Sequence, residues 1–211
     1  INLSSNALSG SIPDFLGDLS NIWLLDLLKN RYGGEIPSSL FKNSMLDFLH
    51  NSEIPSLAYL SLRSNVLTAS VQGPILSCLS LELLDLGTNL FNGSAPFSVL
   101  GFTNLTYFNF SSNGFEGEIV DTEICSKRLE VFDVSMNRLN GEIPLSISNC
   151  NALKFLDLGF NSLNGSIPIE VVGLKRLLVY RLGNNLIDGI VLVGFGRIEL
   201  QRTLVLQKWK G

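Results

Sequence analysis

The sequence has little of what enzymes and nucleic-acid-binding proteins need. Among 211 residues there are one histidine, His50, and three cysteines, Cys78, Cys125 and Cys150. Lys and Arg number 15 against 19 Asp and Glu, a formal net charge of −4, so there is no basic excess to match a phosphate backbone. A histidine-dependent catalytic centre would have a single candidate base, and the cysteine spacing fits no metal site. We therefore expect no nucleic-acid partner, no catalytic residues, and neither a cofactor nor a metal site.

Long apolar runs are also missing. Although 45% of the residues are hydrophobic, no stretch approaches the ~18 uncharged apolar residues that a membrane-spanning helix needs. The chain also starts without a basic-then-apolar leader. Residues 1–3 read as the middle of the repeat unit described next, so we expect a fragment or a truncated product.

What the sequence has in abundance is a repeat centred on asparagine. Successive copies are 24 residues apart except between Asn30 and Asn65, which are 35 apart. The structural asparagine ladder comprises Asn6, Asn30, Asn65, Asn89, Asn113, Asn137, Asn161 and Asn185. The pattern before Asn89, with Leu81, Leu84 and Leu86, is L-x-x-L-x-L-x-x-N, and it recurs along the chain. A fixed period of this length indicates a stack of like units.

Each recurring residue type of the repeat predicts a structural feature. Two apolar residues spaced by two predict a short strand with one buried face, and such strands stack into a parallel sheet at ~4.8 Å per repeat. The asparagine amide can bond backbone groups of its own and neighbouring turns, which makes the ladder structural. A glycine follows four residues later, except at Ala69, and predicts a positive φ. Ile-Pro pairs such as Ile12-Pro13 suit the outer wall of a solenoid.

These repeats resemble those of a known plant family. The stretches "SSNALSGSIPDFLGDLSNI" and "LGFNSLNGSIPIEVVGLKRL" are similar to the plant-specific leucine-rich repeats of receptor-like kinase and receptor-like protein ectodomains. The resemblance covers roughly residues 1–190. It implies an α/β repeat solenoid of about eight turns, with a concave parallel β-sheet and a convex side of short strands, turns and 3₁₀ segments. It also implies an extracellular or cell-surface glycoprotein whose parent carries a membrane anchor and a kinase domain, which is absent from this chain.

The repeat fails in two places. Residues 38–56 read as an irregular, shortened repeat: either a malformed turn with a substitute strand at residues 46–51, or a loop that bulges from the solenoid. We expect the lowest local stability there. Residues 191–211 have neither a ladder asparagine nor a polar cap and read as a degenerate C-terminal tail, the mark of a truncated or altered gene product.

Five sequons and three cysteines bear on processing. Asn-x-Ser/Thr occurs at Asn2, Asn92, Asn104, Asn109 and Asn164. Glycosylation of at least two is expected if the chain is secreted, although "LNGS" is also ordinary repeat sequence. The cysteines fall on the inner side of the convex wall as small buried residues. A bridge between Cys125 and Cys150 is conceivable, but we predict that the cysteines stay reduced.

Two columns of outward strand positions are candidates for ligand contact. One carries Asp85, Asp133, Asp157 and Arg181; its acidic stripe could bind a basic ligand, or its aspartates could bond their neighbours as part of the repeat. The other column carries Tyr59, Tyr107 and Phe155, with Trp23 one position before it. Aromatic residues on an open, rigid sheet can anchor an extended peptide or simply cover the sheet.

The favoured function is therefore recognition. The family resemblance implies an extracellular ligand-recognition module of a plant receptor-like kinase, without catalytic activity, that binds a peptide or protein partner on its concave and lateral surface. A co-receptor ectodomain is a further candidate partner. One alternative is a secreted inhibitor of cell-wall-degrading enzymes, although the terminal cysteine caps common in that group are missing here. The other is a truncated, non-functional remnant.

Overall fold

The computed structural model describes residues 1–19, 21–41, 57–71, 73–121, 125–188 and the strand at 203–205. The chain winds through successive turns, each of which contributes a short strand to one long sheet. In chain order the strands are β1 Ser9–Ser11, β2 Leu24–Asp26, β3 Arg31–Gly34, β4 Tyr59–Ser61, β5 Val66–Leu67, β6 Leu83–Asp85, β7 Asn92–Ser94, β8 Tyr107–Asn109, β9 Gly114–Glu118, β10 Val131–Asp133, β11 Arg138–Asn140, β12 Phe155–Asp157, β13 Val179–Arg181 and β14 Thr203–Val205.

The strands form three parallel sheets. The long concave sheet has the order β14-β13-β12-β10-β8-β6-β4-β2, and two smaller flank sheets have the orders β1-β3-β5 and β7-β9-β11. The convex side carries 3₁₀ helices at Asp14–Asp18, Ser38–Phe41, Pro74–Ser77, Phe97–Gly101, Leu145–Asn149 and Ile169–Gly173. The predicted fold class, a leucine-rich-repeat solenoid with a concave parallel sheet and a convex side of short strands and 3₁₀ turns, is confirmed.

The 24-residue period sets the register of the concave sheet. Val131 of β10 pairs with Phe155 of β12, and Leu156 in the middle of β12 pairs with Phe132. From β2 to β13, the middle residue of each concave strand faces inward; Leu84, Phe108 and Phe132 are fully buried. Because every turn buries the same positions, the core is one continuous column between the concave sheet and the convex wall.

The ladder asparagines join consecutive turns. Asn89 accepts a hydrogen bond from the Leu67 amide at 3.1 Å and donates to the carbonyls of Leu62 at 2.9 Å and Leu86 at 3.1 Å. Equivalent bonds recur from Asn30 to Asn185 along the ladder. Each side chain therefore satisfies backbone groups of its own turn and of the turn before it.

The glycine column has the positive φ that the sequence predicts. Gly34, Gly93 and Gly165 have φ of 75°, 70° and 70°. Ala69 occupies the same place with φ of 72°, so its Cβ is held in a conformation that favours glycine. Gly189, the last glycine of the column, lies outside the described residues.

The strands before and after the long repeat between Asn30 and Asn65 are neighbours in the concave sheet. Leu24 of β2 pairs directly with Tyr59 of β4, so no strand is inserted between them. The predicted irregular segment also begins regularly, since Ser38–Phe41 is a 3₁₀ helix with Leu40 and Phe41 buried. The suggested strand at residues 46–51 lies outside the described residues.

The tail contains a strand that the sequence analysis did not predict. Thr203 of β14 pairs with Val179 of β13, which continues the 24-residue register by one more turn. The signal in the sequence is weak: Leu204 and Leu206 repeat the spacing of Tyr180 and Leu182, but Trp209 stands where a ladder asparagine would be. The remainder of the tail lies outside the described residues.

The prediction that all cysteines stay reduced was wrong. Cys125 and Cys150 form a disulfide with a Cα–Cα distance of 5.2 Å. The two residues come from consecutive turns of the convex wall, where the stacking of repeats brings them side by side. Cys78 is a buried thiol, as predicted, and donates to the Leu57 carbonyl at 3.3 Å.

Candidate functional site

The outward face of the concave sheet carries two parallel columns of side chains. The first residue of each strand is half-buried in the first column: Leu24, Tyr59, Leu83, Tyr107, Val131, Phe155 and Val179. The third residue forms the second column: Asp26, Ser61, Asp85, Asn109, Asp133, Asp157 and Arg181. Strand pairing sets these residues side by side. All the predicted ligand-surface residues except Trp23 thus lie in two adjacent columns.

Aromatic residues occupy the β2–β4 end of this face. Trp23, just before β2, is 52% exposed and meets the Tyr59 ring edge-on with centroids 5.6 Å apart. The Tyr59 hydroxyl donates to Glu82 Oε2 at 2.6 Å. That hydrogen bond and the Glu82 charge raise the pKa of Tyr59. The ring pair gives this end of the sheet an exposed apolar platform with a fixed orientation.

The middle of the face is acidic. Asp85 is only 8% exposed, and burial raises its pKa to about 6, outweighing the backbone hydrogen bond from Gly87 and the Arg63 charge. Burial also raises the pKa of Asp133, against the opposing effect of two hydrogen bonds from Ser135. Ionised carboxylates at these positions are incompletely compensated by the protein.

The aspartates use one carboxylate oxygen to hold the strand end. Asp85 Oδ1 accepts from the Gly87 amide at 3.0 Å, and Asp133 Oδ1 accepts from the amide and hydroxyl of Ser135 at 3.0 and 2.7 Å. The sequence left open whether these aspartates bind a ligand or hydrogen-bond their neighbours, and the structure shows that they hydrogen-bond their neighbours. Within the described residues neither Oδ2 has a hydrogen-bond or ion-pair partner, so each aspartate keeps an acceptor for a ligand.

Asn109 lies between the two aspartates and has the same local role without a charge. Its Oδ1 accepts from the amide and hydroxyl of Ser111, and its Nδ2 donates to the Tyr107 hydroxyl at 3.2 Å. With 2% exposure, the Asn109 side chain is enclosed by the sheet. We therefore withdraw it as a glycosylation candidate, because glycosylation needs an accessible amide.

The other sequon asparagines lie nearer the surface. Asn2, Asn92 and Asn164 are exposed, and Asn104 is half-buried. Asn104 accepts a hydrogen bond from Arg128 at 3.3 Å. Asn92 begins β7 on a flank sheet, and Asn164 forms an isolated bridge with Glu142 two turns beyond β9.

At the β12–β13 end of the face, acidic side chains pair with basic ones. Arg181 contacts Asp157 Oδ2 at 3.3 Å and lies over the Phe155 ring, 5.3 Å from its centroid. Lys154 likewise pairs with Glu130 at 2.7 Å. Asp85 and Asp133, in the middle of the face, have no such ion pair within the described residues.

Sequence reasoning missed Arg63 as part of this surface. A Cβ on Gly87 would lie 2.8 Å from Arg63 Nη1 and 3.2 Å from Asp85 Oδ1, so the guanidinium crosses the gap that Gly87 leaves. The sequence could have indicated this contact, because Arg63 and Gly87 occupy the same position of the repeat in consecutive units. His50, the single histidine, which the sequence favours as a loop or misfit strand residue over a catalytic base, lies outside the described residues.

Neither a metal-binding cluster nor a membrane-spanning helix occurs in the described part of the chain. No group of three or more His, Cys, Asp or Glu side chains there could hold a metal ion. Nor is any helix among those residues long and apolar enough to cross a bilayer. The concave face presents aromatic, acidic and small polar groups.

The repeat pattern is also recognised by comparison with known proteins. A family model described as Leucine Rich Repeat matches residues 1–19, 128–150 and 152–174. Together with the asparagine ladder and the three parallel sheets, this match decides the architecture. The chain is a leucine-rich-repeat solenoid.

Relatives of this leucine-rich-repeat chain include two receptor proteins of Arabidopsis thaliana. The leucine-rich repeat receptor-like serine/threonine-protein kinase RGI4 is 52% identical over 42 residues, covering 20% of this chain and 4% of the kinase. Receptor-like protein 32 is 47% identical over 53 residues, covering 24% of this chain and 6% of the relative. The chain thus spans a small share of the relatives it matches.

Solved structures match over nearly the whole chain. The ectodomain of the Arabidopsis thaliana receptor kinase GASSHO1/SCHENGEN3, in complex with CASPARIAN STRIP INTEGRITY FACTOR 2, gives a TM-score of 0.89 at 27% identity, covering 98% of this chain and 24% of that one. The Arabidopsis receptor kinase HAESA, in complex with the peptide hormone IDA and the co-receptor SERK1, gives 0.85 at 29%, covering 98% and 33%. The leucine-rich-repeat chain therefore resembles plant receptor kinase ectodomains.

Proposed function

We propose that this chain is an extracellular recognition module of a plant leucine-rich-repeat receptor, which presents its concave and lateral surface to a peptide or protein partner. The open concave sheet carries the proposal, because its two side-chain columns are fixed in register by strand pairing. Such a preorganised surface loses little conformational entropy on binding. The peptide hormone and co-receptor in the HAESA complex support a partner of either kind.

The chemistry of the face favours an extended peptide with a basic residue. A lysine or arginine head between Asp85 and Asp133 would meet the two carboxylates and the Tyr107 ring, which combines charge pairing with a cation–π contact. An apolar residue of the same peptide would rest on Trp23 and Tyr59. At ~4.8 Å between strands and ~3.3 Å per extended residue, a peptide of about seven residues spans the five strands from β2 to β10.

A peptide panel tests this function. The probes are extended twelve-residue peptides with aromatic and aliphatic flanks and a central Arg, Gln or Glu. We expect the Arg peptides to bind best and to lose about tenfold in affinity to the Asp85→Asn/Asp133→Asn variant, since two partly buried charge contacts are removed. The control, Asp18→Asn/Glu35→Gln, removes two exposed acids away from the sheet and should bind normally. Equal affinity for the Glu peptides would overturn the proposal.

The proposed location and processing follow from the same family of ectodomains. A disulfide between Cys125 and Cys150 suits an oxidising, extracellular setting. We expect N-glycans at exposed sequons, foremost Asn92 and Asn164, and none at Asn109. Mass spectrometry of glycopeptides from secreted protein measures this; a glycan at Asn109 would contradict the assignment.

A further inference from the structure

A groove lies on the flank of the solenoid, away from the concave face. It has a volume of about 830 Å³ and runs between the end of β9 and the start of the 3₁₀ helix Leu145–Asn149. We call it the flank groove and define it by Glu118, Val120, Asp121, Glu142, Leu145 and Asn164. None of these residues belongs to the two columns of the concave sheet.

Apolar side chains stand exposed in the flank groove. Val120 and Leu145 are each 57% exposed. Val120 occupies the repeat position held by Pro144 and Pro168 in the next two turns, so it departs from the repeat at the place where the groove opens. Ile119, Ile143, Pro144 and Pro168 also line the groove, so the two exposed aliphatic side chains extend an apolar surface that can contact an apolar side chain of a partner.

Acidic side chains line the same groove in a fixed arrangement. A Cβ added to Gly141 would lie 2.7 Å from Glu118 Cγ, and one added to Gly165 would lie 2.9 Å from Glu142 Cγ. Each glutamate stem therefore rests on the bare glycine of the next turn, which restricts its motion. Glu118, Glu142 and Asp121 make no ion pair with any residue in the described ranges.

A disulfide anchors the helix on one side of the flank groove. Cys150 caps the helix that starts at Leu145, and it is bonded to Cys125 of the preceding turn with a Cα–Cα distance of 5.2 Å. The covalent link therefore holds the end of the helix that bears Leu145 against the neighbouring turn.

We propose that the flank groove binds a protein partner through a segment that carries an arginine or lysine next to an aliphatic residue. The cationic head lies between the Glu118 and Glu142 carboxylates, and the aliphatic side chain packs on Val120 and Leu145. Charge complementarity favours this partner. The three carboxylates have no cationic partner within the described residues, so they attract a basic segment and repel an acidic one. This inference rests on the proposed recognition function and assigns a partner to a separate site on the lateral surface, outside the concave face.

Selection from random displayed peptides tests the flank groove. Twelve-residue peptides are selected on the full chain carrying Asp85→Asn and Asp133→Asn, so that the concave face does not capture basic peptides. Recovered peptides are then measured against the same chain with Glu118→Gln and Glu142→Gln added. The matched control adds Asp18→Asn and Glu35→Gln instead, and thermal unfolding of every variant verifies folding.

We expect the recovered peptides to combine basic and aliphatic residues and to lose about tenfold in affinity when Glu118 and Glu142 are changed, as two exposed charge pairs allow. The control should change affinity less than twofold, and Val120→Ser should weaken binding too. Recovery of no binder, peptides without basic residues, or equal loss in the control would overturn the proposal. None of these outcomes bears on the concave-face proposal, because every chain in this experiment carries Asp85→Asn and Asp133→Asn.

Discussion

At the scale of single residues, Ala69 is the clearest misfit in the repeat. Its φ of 72° matches the glycine column, where an L-residue is strained by roughly 1–2 kcal/mol. Ala69→Gly should stabilise the chain by about 0.5 kcal/mol, because relief of strain exceeds the added unfolded-state entropy of glycine. Urea unfolding measures this. Gly34→Ala is the matched control, since its Cβ would approach nothing closer than Ser11 Cβ at 4.0 Å; it should destabilise through the backbone alone. A less stable Ala69→Gly variant would contradict the argument.

The raised pKa of Asp85 makes stability depend on pH. The folded state holds the proton up to about pH 6, whereas the unfolded chain releases it near pH 4. Stability from this group is therefore full below pH 4 and declines as pH rises through 6. Asp85→Asn should stabilise the chain at pH 8 by about 1–3 kcal/mol, with Asn109 as the native precedent.

Urea unfolding at pH 8 and pH 4 measures the Asp85 effect. The gain of Asp85→Asn should largely disappear at pH 4, where the wild-type carboxyl is neutral. A variant that is less stable than wild type at pH 8 would show that the Asp85 charge is well compensated after all.

At the scale of elements, the ladder asparagines act between turns. Asn137→Ala removes the acceptor of the Phe115 amide and the donor to the Phe110 and Val134 carbonyls. Because the substitution leaves several partly buried backbone groups unpaired, we expect the free energy of unfolding to fall by about 3 kcal/mol or more. Asn6→Ala is the matched control, because Asn6 bonds only Leu3 and Ser4 in an exposed turn; its cost should stay below about 1 kcal/mol. If denaturant titrations gave similar losses of unfolding free energy for Asn137→Ala and Asn6→Ala, the inter-turn role of the ladder would be contradicted.

The repeated elements were predictable because the same pattern recurs in successive units. The ladder, the strand pattern and the glycine turns each return at the 24-residue period, so aligning the units reveals them. The Cys125–Cys150 bridge was not predictable in this way, because it depends on how two convex segments stack. The burial of Asn109 and the placement of Arg63 over Gly87 also come from neighbouring turns. Strand β14 was missed because its turn has Trp209 in place of the asparagine on which the repeats were aligned.

At the scale of the whole molecule, the disulfide ties two turns of a stack in which each turn contacts mainly its neighbours. Replacing Cys125 and Cys150 by serine opens a loop of 25 residues and should cost about 3 kcal/mol. The loss should appear in thermal unfolding of the variant and of reduced wild type alike. Cys78→Ser is not an equivalent control, because that thiol is buried and bonds Leu57. Unchanged stability on reduction would mean that turn stacking alone holds this region.

Recognition through the concave sheet is the central functional claim, and side-chain NMR tests it most directly. The wild-type chain is titrated with a twelve-residue arginine peptide, and the Tyr107 ring and Val131 methyl resonances are followed. Both residues point outward from adjacent strands beside Asp85 and Asp133. We expect saturable shifts at these resonances that the glutamate counterpart does not produce. Shifts confined to residues outside the concave sheet would contradict it.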